Sequence, residues 1–194
     1  MSNPTDRELV ERTKAGDNLA FGVLVRRYQR RIFRLAFHLV RSGAEAEDVT
    51  QETFVRAYQA IGRFDGRSEP FTWLYRIAVN LSLNTLRARK VTRGSTPSDD
   101  PRIEALLTET RPSHGRDPAA ATQQKQLAAA LCEGIDALSD TLRTTLILVC
   151  IDGLAHEDAS KVLGCPEGTV AWRVHEARRK LREYLESRGF GGEA

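Results

Sequence analysis

Three cysteines, two tryptophans and one methionine are spread over 194 residues, and aromatic side chains make up only 7%. Cys132, Cys150 and Cys165 form no C-x-x-C pair and no histidine stands at metal-ligand spacing from them, which argues against a disulfide framework and a zinc site. His38, His114, His156 and His175 fall in separate segments with no evident nucleophile partner, and no phosphate-cradling glycine loop is present. Catalysis, a cofactor and a bound metal are therefore not expected. The opening Met-Ser-Asn-Pro-Thr-Asp lacks a basic-then-apolar leader pattern, and no apolar run nears the length of a membrane span. The expectation is a cytoplasmic protein without membrane insertion.

What is present is enough apolar character for real cores, 41% of residues, and a charge that is unevenly placed. The net charge of +3 is too mild to argue for nucleic acid by itself. Residues 1–92, however, carry sixteen basic against ten acidic residues, whereas 93–122 carry four against five and 123–194 nine against eleven. The amino-terminal part is the electropositive one.

Apolar residues at Phe21, Leu24, Val25, Tyr28, Ile32, Leu35 and Leu39 step by three and four, the period of an amphipathic helix, with Asp17 placed to cap it. A short helix from about Asp6 to Ala15 is expected before it, and another from near Ala44. Gly62 through Pro70 reads as a loop, and a helix from Phe71 to Arg89 should bury Phe71, Leu74, Ala78, Leu81 and Thr85. From Thr92 to Asp117 the period fails and Pro97, Pro101 and Pro112 punctuate the chain, which predicts a linker with one helical turn at Ile103–Leu107. Helical pattern resumes near Ala119, and Ser139 should cap a helix that runs to Cys150 and stops at Asp152-Gly153. No segment alternates with period two. The predicted fold is all-α: two small helical domains, 1–92 and 123–194, joined by a flexible linker over 93–122.

Near the carboxyl end, Leu154–Val162 makes a short helix, Leu163-Gly164-Cys165 a tight turn, and Pro166 suits the start of a second helix. That helix buries Val170, Val174, Ala177, Leu181 and Leu185, and it is rich in Arg173, Arg178, Arg179, Lys180 and Arg182. Two helices across a short turn form the arrangement that lays a recognition helix in the major groove. A plain helical hairpin with a solvated face is the alternative. Glu167 and Glu176 oppose phosphate, so this grip should be weak when it acts alone.

Trp73, Arg76, Asn80, Asn84 and Arg87 lie on one stripe of the Phe71–Arg89 helix. An aromatic, two amides and two guanidiniums in line suit single-stranded DNA, and the Arg63–Glu69 loop could hold an unstacked base. Core packing is the alternative for Trp73. An acidic face of Glu45, Glu47, Asp48 and Glu52 stands beside a helix bearing Arg26, Arg27, Arg30, Arg31 and Arg34. This pairing of faces fits a protein partner or, more simply, ion pairs between the two helices.

Three strings together, Ala46-Glu47-Asp48-Val49-Thr50-Gln51-Glu52-Thr53-Phe54, Phe71-Thr72-Trp73-Leu74-Tyr75-Arg76-Ile77-Ala78-Val79-Asn80 and Gly164-Cys165-Pro166-Glu167-Gly168-Thr169-Val170, strongly resemble the extracytoplasmic-function (ECF) sigma factors of bacterial RNA polymerase. The resemblance covers residues 5–90 and 125–187. It implies an alternative sigma factor that binds core polymerase, directs promoter recognition and melting, and starts transcription of a stress- or envelope-responsive regulon. Asp48, Gln51, Glu52 and Tyr28 would meet the polymerase, through the clamp helices of β′ and the β subunit. Arg63, Phe64, Trp73, Arg76, Asn80, Asn84 and Arg87 would bind the minus-ten element, and Thr169, Ala171, Trp172, Arg173, His175, Arg178 and Arg179 the minus-thirty-five element. The linker would thread toward the RNA exit path. A cognate anti-sigma factor is the implied regulator, and a monomer is expected when free.

Several positions depart from the family pattern. Ala171 and Glu176 stand where basic residues are common, Trp172 where a small residue is, Asp158-Ala159-Ser160 replaces Glu-Ile-Ala, and Ser139-Asp140 replaces a Leu-Pro start. A stand-alone helix-turn-helix regulator, dimeric on two-fold half-sites, is the rival reading, but it leaves the Asp48–Phe54 block and the Trp73 stripe unexplained.

Overall fold

A computed structural model of the chain describes residues 4–93 and 118–190. Helix α1 spans Asp6–Lys14, α2 Asn18–Val40, α3 Gly43–Ala60 and α4 Pro70–Arg93; after the undescribed stretch come α5 Pro118–Ala137, α6 Asp140–Leu146, α7 His156–Leu163 and α8 Glu167–Ser187. Among the described residues there is no strand. The expected turn at Ile103–Leu107 and most of the expected linker lie outside the described residues.

Local chemistry sets the helix starts. Thr5 and Glu8 form a reciprocal capping box on α1, Asp17 accepts from the Leu19 and Ala20 amides, and Ser42 and Ser139 cap α3 and α6. Each such cap is worth about 1 kcal/mol. Helix α4 runs four residues past the expected Arg89, because nothing through Arg93 breaks it. One boundary differs in kind. The helix expected to reach Cys150 as a regular element ends at Leu146 and widens into a π turn over Ile147–Ile151, where the Asp152 amide donates to the Ile147 carbonyl at 2.9 Å.

Helices α1 to α4 enclose Leu9, Leu24, Ile32, Leu35, Leu39, Leu74, Tyr75 and Ala78, all at most 2% exposed. Helices α6 and α8 close on Leu142, Leu146 and Ala177, with Leu181 packed against them. At Gly134 a Cβ would stand 2.7 Å from the Leu181 side chain and 2.8 Å from that of Tyr184, so only glycine lets α5 approach α8 this closely.

The two helical groups are not apart. Ile147, Leu148, Leu154, Ala159, Val162, Val170 and Val174 join one continuous apolar cluster with the core of α1, α2 and α4. Helix α7 lies between α4 and α8, and the π turn packs on α2. Arg41 closes α2 in the left-handed region at φ 57°, a conformation costly for a residue with a Cβ. Its buried guanidinium reaches across to the Asp136 carboxylate at 3.2 Å and the Cys132 carbonyl at 3.3 Å, both on α5.

Candidate nucleic-acid interface

On α3, Asp48 and Gln51 are exposed, and Glu52 is half-buried and paired with Arg56 at 2.6 Å. The partly exposed side chains of Val55 and Tyr58 continue the surface. Tyr28, expected on the same surface, is 6% exposed and its hydroxyl donates to Asp6, which also receives Arg27. Burial, then the Asp6 carboxylate, push its phenol well above the usual range. Tyr28 therefore fixes α1 on α2 and presents nothing to a partner. The acidic and basic faces of α3 and α2 do not pair with each other as the simpler reading supposed. Glu45 receives Arg89 of α4, Arg27 turns to α1, Arg31 lies over the Tyr75 ring at 5.7 Å, and Arg34 faces Asp152 at 3.8 Å.

The loop before α4 is held from both sides. Lys14 donates to the Phe64 carbonyl at 2.8 Å and lies over the Phe64 ring, while Arg7 pairs with Glu69 at 2.7 Å. Within the loop, Gly66 takes a positive φ of 71° and the Arg67 amide donates to the Asp65 carboxylate, leaving Arg63, Asp65 and Arg67 exposed. Phe64 is instead 7% exposed, with its ring 5.1 Å from Trp73. This pair props the loop on α4, so the packing alternative holds for the inner face of Trp73, and Phe64, expected at the DNA, is buried beside it. Arg76, Asn80, Asn84 and Arg87 are exposed along one side of α4, and Arg87 donates to Asn84 at 3.3 Å. Sequence spacing and structure agree on this polar stripe.

The helix-turn-helix is formed as expected, though α7 begins two residues later than predicted. Gly164 ends α7 at φ 64°, and Pro166 precedes the first residue of α8. Val170, Val174 and Ala177 face inward. Outward stand Thr169 and Ala171, half-exposed, and Trp172, His175, Arg178 and Arg179, exposed. Not all the basic residues point at open solvent unengaged. Arg173 donates to the Cys165 sulfur at 3.5 Å and Arg178 to that of Cys150 at 3.3 Å. Arg179 is clamped by Glu176 at 2.7 Å and by Glu183. The Arg179 hydrogen bond in turn holds the Glu176 carboxyl below its ordinary range.

The two candidate grips meet through a polar seam that the sequence did not signal. Arg76 of the α4 stripe donates to the Lys161 carbonyl at the end of α7, and Lys90 pairs with Asp140 at 2.8 Å. Asp152, read from sequence only as a helix stop, is turned inward by the π turn. Its carboxylate is wholly buried and accepts no hydrogen bond. Burial raises its pKa to about 6, even though Arg34 and Arg31 pull the other way. His38, also buried, is lowered to about 4 by desolvation and then by Arg41 and Arg34. No alternation or motif marks these residues, because each is a single position on a helix whose partner lies far along the chain.

Residues 24–92 match the family described as Sigma-70 region 2, and residues 130–181 match Sigma-70, region 4. The RNA polymerase sigma-H factor of Pseudomonas aeruginosa is 37% identical over 190 residues, covering 96% of this chain and 96% of that protein. The ECF RNA polymerase sigma-E factor of Escherichia coli K12 is 37% identical over 182 residues, covering 91% of this chain and 92% of that protein. Among solved structures, CnrH in complex with the cytosolic domain of CnrY is similar over 94% of this chain and 97% of that one, with a TM-score of 0.68 and 26% identity. No helix among the described residues is long and apolar enough to cross a membrane.

Proposed function

Since the chain belongs to the ECF sigma factors of the sigma-70 family, an alternative sigma factor that recognises promoters for RNA polymerase, we propose how its residues divide that work. Residues 1–92 dock on the polymerase clamp helices through Asp48, Gln51 and Glu52. They take the minus-ten element on the Arg63–Glu69 loop and the Arg76–Asn80–Asn84–Arg87 stripe, with Trp73 and Phe64 as the support beneath. Residues 123–194 set α8 in the major groove of the minus-thirty-five element, and 93–122 connect the two. Catalysis is left to the polymerase. A cognate anti-sigma factor holds the chain until its signal, and a stress- or envelope-responsive set of promoters is the target.

The observation that carries this reading is the exposed amide–guanidinium stripe on α4 beside a loop anchored at Lys14 and Arg7. Melting a promoter costs a few kcal/mol per unstacked step, offset by binding the displaced strand and a flipped base. Arginines on a helix next to a pre-formed loop supply that binding once Arg76 leaves the Lys161 carbonyl.

The described arrangement also sets a requirement. With α7 touching both α4 and α8, those two helices lie at most about 20 Å apart, two packed helix spacings. The minus-ten and minus-thirty-five elements are separated by about 85 Å of duplex, roughly 25 base pairs at 3.4 Å each. The closed chain cannot hold both. Promoter engagement therefore separates α7 and α8 from α4.

Run-off transcription with bacterial core polymerase on a pool of the chain's own genomic promoter fragments tests the division of labour. Transcripts that depend on the chain, start downstream of a shared two-part element and are lost with Asn80→Ala or Arg76→Ala are expected. Sequence-specific binding of the free chain to duplex, with no transcripts, would hand the case to the stand-alone regulator.

A further inference from the structure

Helix α8 carries at the centre of its outer face a residue that no hydrogen-bond code explains. Successive residues turn by 100°, so Trp172, two positions after buried Val170 and two before buried Val174, points directly away from the core. It is 61% exposed. It also lies in the second turn of α8, and the amino-terminal residues of a recognition helix are the ones that reach base edges. A large apolar ring left in water at the middle of a working face needs an occupant.

The neighbours narrow what that occupant is. Ala171 offers no polar group, and Glu176 is engaged by Arg179 at 2.7 Å and Lys180 at 4.0 Å. The indole itself has one N–H donor and no acceptor, so it cannot make the paired contacts by which arginine reads guanine or asparagine reads adenine. The only apolar group that B-DNA displays in its major groove is the C5-methyl of thymine. Arg178 and Arg182, four residues apart on one side of α8, offer positive charge to a phosphate strand beside the ring, Arg178 once it leaves the Cys150 sulfur.

We propose that Trp172 is the specificity-determining residue of the minus-thirty-five contact and that it reads a thymine by its methyl group, while Glu176 withholds Arg179 and Lys180 from the phosphates. This rests on the assignment of α8 to the minus-thirty-five element. The consequence is a contact that discriminates by shape and apolar surface and gains little from charge.

The test uses holoenzyme assembled from the full chain and bacterial core polymerase, on a promoter recovered from the genomic run-off. Each thymine of the minus-thirty-five element is replaced in turn by deoxyuridine, which removes the methyl and keeps every base pair. With the wild-type chain, one or two positions should lower apparent promoter affinity about fourfold, the effect of exposing one buried methyl. Trp172→Ala should bind the unmodified promoter more weakly and respond to none of the replacements. Trp172→Phe should restore part of the sensitivity at the same positions. Because Trp172 is largely exposed, both variants should unfold at the wild-type urea midpoint. If deoxyuridine is silent at every position while a scrambled minus-thirty-five element abolishes transcription, α8 reads the element by other residues and the proposal fails. If scrambling is itself without effect, the assignment of α8 fails and the proposal with it. Unchanged promoter discrimination by Trp172→Ala would also overturn it and leave the ring as a contact for a protein partner.

Discussion

Replacing Asp152 by asparagine should tighten the closed chain. The carboxylate is buried where the π turn meets α2 and α4, accepts no hydrogen bond, and has Arg34 no nearer than 3.8 Å. Its pKa rises from 3.8 to about 6 on closing, so the closed form binds the proton more strongly than the open or unfolded chain. The sign follows from linkage: this group's contribution is fully present below pH 3.8 and is lost as pH rises through 6. At pH 7.5 the charged form is about 3 kcal/mol worse in the closed chain than a neutral group would be, two pKa units at 1.36 kcal/mol each. Asparagine keeps the shape and removes the charge. It should recover at least about 1 kcal/mol after its own unmet hydrogen bonds are counted. Urea unfolding at pH 7.5 reads this as a higher midpoint, and promoter engagement by the holoenzyme, for which we propose the chain opens, should slow correspondingly. A variant less stable than wild type by more than about 1 kcal/mol would refute the reasoning, because it would show that the attraction of Arg34 and Arg31 exceeds the cost of burial.

His38 makes the opposite demand: its pKa falls from 6.5 to about 4, so its contribution is present above pH 6.5 and lost as pH falls through 4. The wild-type chain should therefore show a nearly flat stability between pH 4 and 6, with Asp152→Asn exposing a fall toward acid and His38→Gln a rise; parallel profiles for all three proteins in urea titrations would contradict this. Asp48→Arg reverses a charge on an exposed part of α3, so it should weaken core polymerase binding at least tenfold with an unchanged unfolding midpoint, and undiminished assembly would remove Asp48 from the docking surface. Ala171→Arg, half-exposed beside Trp172, should add one phosphate contact and steepen the salt dependence of promoter binding by about one unit. An unaltered slope would mean that position 171 faces away from the backbone.

Helices and caps were legible in the sequence because each depends on neighbours within one or two turns. The period of Leu24, Tyr28, Ile32, Leu35 and Leu39 is satisfied by burial of every member, and Asp17, Ser139 and Gly164 sit where caps and turns require them. The polar stripe on α4 was legible for the same reason, since spacing on a helix fixes a face. What spacing cannot say is which face a second element covers. Tyr28 steps with core residues, and it was the family resemblance that placed it on the polymerase-facing surface; the structure turns its hydroxyl to Asp6 on another helix. Phe64 and Trp73 are nine residues apart across a loop, and nothing local shows that the rings meet. The π turn was missed because Ile147–Ile151 is apolar throughout, with no period left to break.

The seam between the two groups of helices has the composition of a contact made to be undone. Its apolar part is large enough to hold the chain closed, since Ile147, Leu148, Leu154 and Val162 all leave water in a shared cluster. Its polar part works against that. At neutral pH a buried carboxylate without a hydrogen bond subtracts from the closed state. A purely apolar seam would be more stable, because buried charges seldom repay their desolvation against a well-packed isostere. Asp140, held by Lys90 and Arg143, shows that the same seam can satisfy a carboxylate. On the proposed opening, leaving Asp152 unsatisfied narrows the gap to be overcome when promoter engagement draws α7 and α8 away from α4. The cost is borne by the closed chain alone, because opening returns the carboxylate to water, where it is charged and hydrated.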